Sequence, residues 1–299
     1  MLVYIVIASA QSVALNRWLS TTNVYLVVGL SFIVVVGLFG TVGLRTARVE
    51  AYRFVLTHRR LLVALNVAAV FNWLFYFLAV KYLPPAVAVT LTQGIGPLSM
   101  TAYSIYRGRE VSRVTRACHG VIFVAAALMC GYVVQHRITT DSHSRATLVL
   151  AIGAAVICSV SITATIALSK TFAEAKVPAS VVLSVRFPLL ILTCLAVLPT
   201  QNDVHVDARI IGIVFGIALI GIATSSYFLQ RGVELAPPLA VSTCLALSPM
   251  VVFAIDWLKS DSTANPVLFA LIVGIVVVSA GSIVYDGTRL RGQSLVKVT

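Results

Sequence analysis

PPAVAVTLTQGIGP occupies residues 84–97, and PPLAVSTCLALSP occupies residues 237–249. Pro85 and Pro97 stand 12 apart, as do Pro237 and Pro249, and between them Ala88-Val89-Thr90 lines up with Ala240-Val241-Ser242. A chain of 299 residues that writes one proline-framed segment twice reads as two copies of one unit. The composition around the two copies says what kind of unit it is.

Apolar residues make up 59% of the chain and charged residues 11%. A soluble domain needs about 25% charged residues to cover its surface, so lipid is the expected solvent here. The net charge of +12 raises the possibility of nucleic acid. The basic residues, however, fall between apolar runs and form no continuous face, as cytoplasmic membrane loops do. All five cysteines lie in apolar runs with no close pair, so neither a disulfide framework nor a metal cluster is expected. The opening MLVYIVIASAQSVALNRW lacks a basic leader and reads as a retained first helix.

Crossing a hydrocarbon core of about 30 Å takes roughly 20 apolar residues in a helix. The runs predict ten helices, near 2–19, 24–44, 61–80, 85–106, 114–135, 146–169, 178–199, 209–229, 238–258 and 266–285. The even-numbered connections and the C-terminal tail hold 15 of the 22 Lys and Arg residues, including Arg53 and Arg113. The positive-inside rule then places both termini in the cytoplasm, in a plasma (inner) membrane or an organelle membrane. The proline segments head helices 4 and 9. Five helices per copy is an odd number, so the second copy is inverted in the membrane. The expected architecture is an all-α integral membrane protein of ten transmembrane helices in a five-plus-five inverted repeat, 1–140 and 141–299. Gly120 with Ala127 and Gly274 with Gly281 are small pairs expected to let helices approach closely.

Over nearly its whole length the chain resembles the drug/metabolite transporter superfamily. The resemblance lies in the ten short helices, the two proline segments, and RGREVSRVTRACHGVIFVAAALMCG at 107–131, with Gly108 and Glu110 at the places of that family's Gly-Glu turn. SVALNRWLS and GSIVYDG look like the triose-phosphate and nucleotide-sugar branch, with Arg17 where that branch has lysine. AKVPASVVLSVRFPLL is similar to helix 7 of the EamA-type branch, with Arg186 matching its helical arginine. Helix 9 has no basic residue before Lys259, and helix 2 has no arginine matching the EamA type, so both branches stay open.

Candidate site residues follow from polarity in the wrong solvent. Arg186 lies about 12 Å along its helix from Pro178, at about 1.5 Å per residue. A charge at that depth faces a cavity or a bundle interior and is read as an anion anchor, with a structural arginine as the bland alternative. Arg17, nearer a helix end, is a weaker candidate for the same role. In FNWLFYF, Asn72 and Tyr76 share a helix face beside Trp73, as in a pocket for a polar, ring-bearing ligand. Gln93 in the first proline segment needs a polar partner, and Tyr227 is taken as the counterpart of Tyr76 in the second copy. Pro85, Pro97, Pro237 and Pro249 are the expected gating positions, because proline weakens helix hydrogen bonding. His119 reads as a satisfied histidine, and Trp18 and Trp257 as interfacial anchors. No paired carboxylates, metal pattern or Walker loop is found.

These readings predict an alternating-access transporter of small polar metabolites, anionic or zwitterionic: a sugar phosphate, a nucleotide sugar or an amino-acid-like compound. It needs no catalytic residue, metal or cofactor. Its partners are a small-molecule substrate and membrane lipid, not nucleic acid, and a homodimer is compatible with it. The rival readings are a structural or assembly membrane protein without transport, and an intramembrane enzyme.

Overall fold

A computed structural model describes residues 1–19, 22–47, 49–136, 144–201, 206–259 and 265–296. The first helices are α1 (Leu2–Leu19), α2 (Val24–Thr46), α3 (Val49–Thr57) and α4 (Arg59–Tyr82). The first proline segment forms α5 (Pro85–Gly94) and α6 (Gly96–Tyr106), followed by α7 (Arg113–Gln135) and α8 (Arg145–Glu174). Next come α9 (Ala179–Val185) and α10 (Pro188–Val197). Then α11 (Ala208–Gly216) runs through a π-helical turn at Ile217–Ala223 into α12 (Thr224–Leu235). The second proline segment forms α13 (Pro238–Leu245) and the start of α14 (Ser248–Lys259), and α15 (Pro266–Val296) ends the described chain. No strand occurs among the described residues.

Local chemistry sets the helix starts. Asn23 accepts from the Tyr25 and Leu26 amides, Ser112 from Thr115, Ser144 from Thr147 and Asp207 from Ile210, each satisfying donors that an α-helix leaves open at its first turn. α5 and α13 begin instead on the second proline of each segment, with Pro84 and Pro237 as the preceding caps. Both helices stop just before the next proline, at Gly94-Ile95-Gly96-Pro97 and Ala246-Leu247-Ser248-Pro249. Proline lacks an N–H and disfavours helical geometry in the residue before it. The same rule breaks the seventh predicted helix at Arg186-Phe187, ahead of Pro188. Gly108 has φ +69°, a value at which any side chain would be strained, and it turns the chain after α6.

Among the described residues, nine helical spans are long and apolar enough to cross a membrane. They match nine of the ten predicted helices. The tenth, 85–106, is not among them: its apolar runs are interrupted by Thr90, Thr92 and Gln93. Every residue of α5 is buried, so its polar groups are covered by protein and have no lipid to face. The short helix α3, within the basic connection after α2, was not expected.

Packing gathers the helices around one core. α4 lies along α8, α2 against α9 and α10, α7 against α15, α5 against α8 and α14, and α1 against α12 and α14. α6 and α13 also meet, and a side chain on Gly96 would stand 3.3 Å from the Ser242 hydroxyl oxygen. The small pairs on the fifth and tenth predicted helices do not mediate a close approach. A Cβ on Gly120, Gly274 or Gly281 would meet nothing within 4 Å, and Ala127 is exposed. α7 turns its His119, Ile122, Ala126, Met129 and Val133 inward instead. These larger side chains fill the interface, and the small residues are left on the outer face.

Candidate functional site

The buried guanidinium of Arg186 is the natural point from which to build a site. α9 ends at Val185 and α10 starts at Pro188, so Arg186 and Phe187 sit in the break between them. Asn66 of α4 spans this break. Its amide donates to the Val185 carbonyl at 2.9 Å and accepts from the Leu189 amide at 3.2 Å. An unbroken helix would bond Leu189 N–H directly to Val185 C=O. The Asn66 side chain is inserted into that bond, which holds the break open and fixes the base of Arg186.

Arg186 is 3% exposed. Its guanidinium carbon lies 5.1 Å from the centre of the Phe187 ring, within cation–π range. It has no ion pair or hydrogen bond to any described residue, and its Nε is buried without a partner. A buried guanidinium in that condition is expensive, by several kcal/mol (order of magnitude), until an anion or water meets it.

Around it lies a small cavity of ≈ 40 Å³. α4 contributes Asn72, Trp73 and Tyr76, and α5 contributes Gln93 from its last turn. α12 contributes Ser225, Ser226 and Leu229, and α1 contributes Tyr4, Ala8 and Gln11. The helical spacing of Asn72, Trp73 and Tyr76 puts them on one face, as expected. The Trp73 ring meets Tyr76 edge-on at 5.9 Å and packs on Phe32 at 4.9 Å, with Phe187 tilted against Phe32 at 4.6 Å. These aromatic contacts, worth about 0.5–1.5 kcal/mol each beyond area, make a stiff wall behind the arginine.

The polar lining is rich in donors. Trp73 Nε1, Gln11 Nε2 and Arg186 Nε are buried donors without partners, Gln93 Oε1 is a buried acceptor without one, and the Ser226 hydroxyl, also unpartnered, can serve as either. Among the described residues, no aspartate or glutamate lines the cavity. A volume of this size holds a few waters and no metabolite.

Five of the seven residues expected from the sequence to bind substrate therefore come together: Arg186, Asn72, Trp73, Tyr76 and Gln93. The other two do not join them. Tyr227 is 40% exposed and stacks on Phe39 at 6.4 Å, while its neighbour Ser226 faces the cavity. One residue is about 100° of helix rotation, enough to turn a side chain from the site to another face. Arg17 is exposed in the last turn of α1, beyond the cavity. Of the four prolines, Pro85, Pro97 and Pro249 are buried and Pro237 is exposed. His119 is buried and partnered on both ring nitrogens, by Thr101 at 2.6 Å and Thr243 at 3.4 Å. Trp257 is 59% exposed and Trp18 is half-buried.

Two further residues escaped the sequence reading. Asn16 of α1 donates to the Val80 and Leu83 carbonyls, at 2.5 and 3.0 Å, where α4 ends before Pro84. Lys170 of α8 donates to the Val233, Glu234 and Ala236 carbonyls, at 3.1, 3.2 and 3.2 Å, where α12 ends before Pro237. A signal for them existed. Leu15-Asn16-Arg17 returns as Leu168-Ser169-Lys170, at the same interval that separates Pro84-Pro85 from Pro237-Pro238.

No protein-family model matches the chain, and no curated protein matches it. Solved structures do share its fold. One, described only as "Crystal structure of protein", agrees with a TM-score of 0.64 at 18% identity, over 91% of this chain and 95% of its own. At that identity the likeness shows the fold alone. The chain is an all-α, multi-pass membrane protein.

Proposed function

We propose that this protein is a membrane transporter that carries small anionic or zwitterionic metabolites by alternating access, and that it is built as an inverted repeat of 1–140 and 141–299. The observation that carries the reading is the small, donor-rich cavity around Arg186, walled by helices of both halves. A buried charge with no ion pair or hydrogen bond among the described residues, in a space roomy enough for water alone, suits an anionic ligand that the protein admits by opening.

The repeat is supported by the hinges. With Pro84-Pro85 set on Pro237-Pro238, the carbonyls held by Asn16, at residues 80 and 83, fall on 233 and 236, two of the three held by Lys170. The Thr90 bond to the Ala86 carbonyl falls on the Thr243 bond to Leu239. Asn72, Trp73 and Tyr76 fall on Ser225, Ser226 and Leu229, which line the same cavity. This register is one residue away from the alignment of Ala88 with Ala240, and it gives Tyr227 the place of Leu74. Packing follows it too: α4 on α8 answers α12 on α1, and α6 on α8 answers α14 on α1. Ten helical segments crossing the membrane, with the broken pair α5 and α6 as the fourth, complete this reading. On its sequence motifs the chain is read as a member of the drug/metabolite transporter superfamily, with no catalytic role assigned.

The hairpins α4–α5 and α12–α13 serve as opposing gates, each hinged at a clamped helix end followed by two prolines. The test is counterflow in proteoliposomes loaded with phosphosugars, nucleotide sugars, amino acids and monocarboxylates. Exchange of at least one compound above protein-free vesicles is expected; none, with folded protein, sinks the reading.

Orientation is tested separately. Arg53 and Arg113 are exposed in basic connections, and both are expected on the cytoplasmic side. In a cysteine-free background, Arg53→Cys and Arg113→Cys should react with a membrane-impermeant maleimide from the cytoplasmic face alone. Labelling from the other face reverses the assignment. Coupling follows from the lining: with no carboxylate there, an imposed pH step should not by itself drive accumulation of the exchanged compound. Uphill uptake powered by that step would move attention to the buried His119 and to Asp286, which accepts from Thr115 at 2.7 Å.

A further inference from the structure

We infer that the cavity selects for a single formal negative charge: its substrate is a compound with one carboxylate, with or without an amino group, and not a phosphomonoester or a nucleotide sugar. The inference rests on the transport reading and narrows it by counting charges.

Among the described residues, Arg186 is the one charged side chain lining the cavity. The basic residues that could supply a second charge are held elsewhere. Arg17 is exposed beyond it, and Lys170 is directed at three carbonyls at the end of α12. A guanidinium balances one carboxylate and can meet both its oxygens at once. A phosphomonoester brings a charge of about −1.5 to −2. One guanidinium leaves the remainder without a balancing charge in a buried space whose other described lining groups, Gln11, Asn72, Gln93 and Ser226 among them, are neutral, and an unbalanced buried charge is strongly disfavoured.

The other donors fit the smaller anion. A carboxylate offers about four lone-pair sites. Arg186 can take two of them, and two residues of the same lining, Trp73 and Gln11, carry buried N–H groups without a partner, Trp73 Nε1 and Gln11 Nε2, to meet the rest. An ammonium group on the same compound is accepted without being required. Gln93 Oε1 is an unpartnered acceptor, and the Trp73 and Tyr76 ring faces attract a cation. No lining carboxylate demands a positive charge. Net charges of −1 and 0 therefore both satisfy the lining, and −2 does not.

The experiment uses purified full-length protein in proteoliposomes, each vesicle loaded with the same mixture: phenyllactate, phenylalanine, leucine, glucose, glucose 6-phosphate and UDP-glucose. Loss of each compound is read by mass spectrometry against protein-free vesicles. Only compounds with one carboxylate are expected to leave, with both phosphate-bearing compounds slower by about 100-fold or more. Exit of glucose 6-phosphate, UDP-glucose or glucose at a comparable rate overturns the inference and leaves the transport reading standing. No exit of any compound removes both.

Two variants make the charge count itself the variable. Arg186→Lys keeps the charge and should keep the preference for carboxylate over phosphate, at weaker apparent affinity. Gln11→Lys adds a second cation to the wall and should lower the carboxylate-to-phosphate ratio about tenfold or more. An unchanged ratio in folded Gln11→Lys protein, or a lost preference in folded Arg186→Lys protein, overturns the inference.

Discussion

Arg186→Ala will abolish transport while the protein still reaches the membrane. The side chain is 3% exposed, lies in the break between α9 and α10, and has no ion pair or hydrogen bond among the described residues. Its free energy therefore depends on what enters the cavity. A hydrogen bond to a charged group contributes about 1.5–3 kcal/mol, so removing it should weaken substrate binding roughly 10- to 150-fold. Arg186→Lys keeps the charge and loses the bidentate geometry, so partial activity is expected. The competing role is structural, since Arg186 also packs on the Phe187 ring. In that case alanine lowers expression and melting temperature and leaves affinity unchanged in the surviving protein. Binding and thermal unfolding measured on both variants separate the two. Full affinity in well-folded Arg186→Ala protein would exclude the anion anchor.

Lys170→Met will slow transport about tenfold or more without a matching loss of substrate affinity. The Lys170 ammonium holds three carbonyls at the last turn of α12, where a helix presents unpaired acceptors and the negative end of its dipole. Methionine keeps much of the side-chain volume and loses all three bonds. The end of α12 then frays just ahead of Pro237, and the α12–α13 hairpin loses its fixed hinge. Lys170→Arg still donates several bonds and should restore most of the rate. Asn16→Leu makes the equivalent change at the end of α4, where the clamp is neutral and meets two carbonyls. It should act in the same sense and more weakly. Turnover equal to the parent in folded Lys170→Met protein would remove the hinge role. An equal loss of affinity and rate would place Lys170 in the binding site instead.

The two residues differ in how far the sequence announced them. Arg186 stood out at once, because a guanidinium within an apolar run has no local partner and must be accounted for. In sequence Lys170 is like any basic residue near a helix end, and its match in the repeated Leu-x-basic signature, Arg17, is the one that the transporter resemblance marks. The clamp depends on carbonyls brought near from another helix, and no spacing within α8 encodes that meeting. Tyr227 shows the same limit from the other side. Tyr76-Phe77 stands before the first proline segment and Tyr227-Phe228 before the second, which makes Tyr227 look like the counterpart of Tyr76, yet helix register turns Ser226 to the cavity and Tyr227 onto Phe39.

The sequence by itself determined the solvent of this protein, its all-helical class, the positions of the membrane-crossing spans and the places where proline breaks them. Those follow from local properties: the free energy of moving a side chain into hydrocarbon, the length needed to cross it, and the missing N–H of proline. Only the tertiary structure decided which face of each helix turns inward. In water, polarity marks the outer face; in lipid, the surroundings are as apolar as the interior, so the periodic signal is weak. That is why Gly120, Gly274 and Gly281 lie on an outer face, why all of α5 is enclosed by protein, and why Gln11 and Ser226, unremarkable in the sequence, join Arg186 around one cavity.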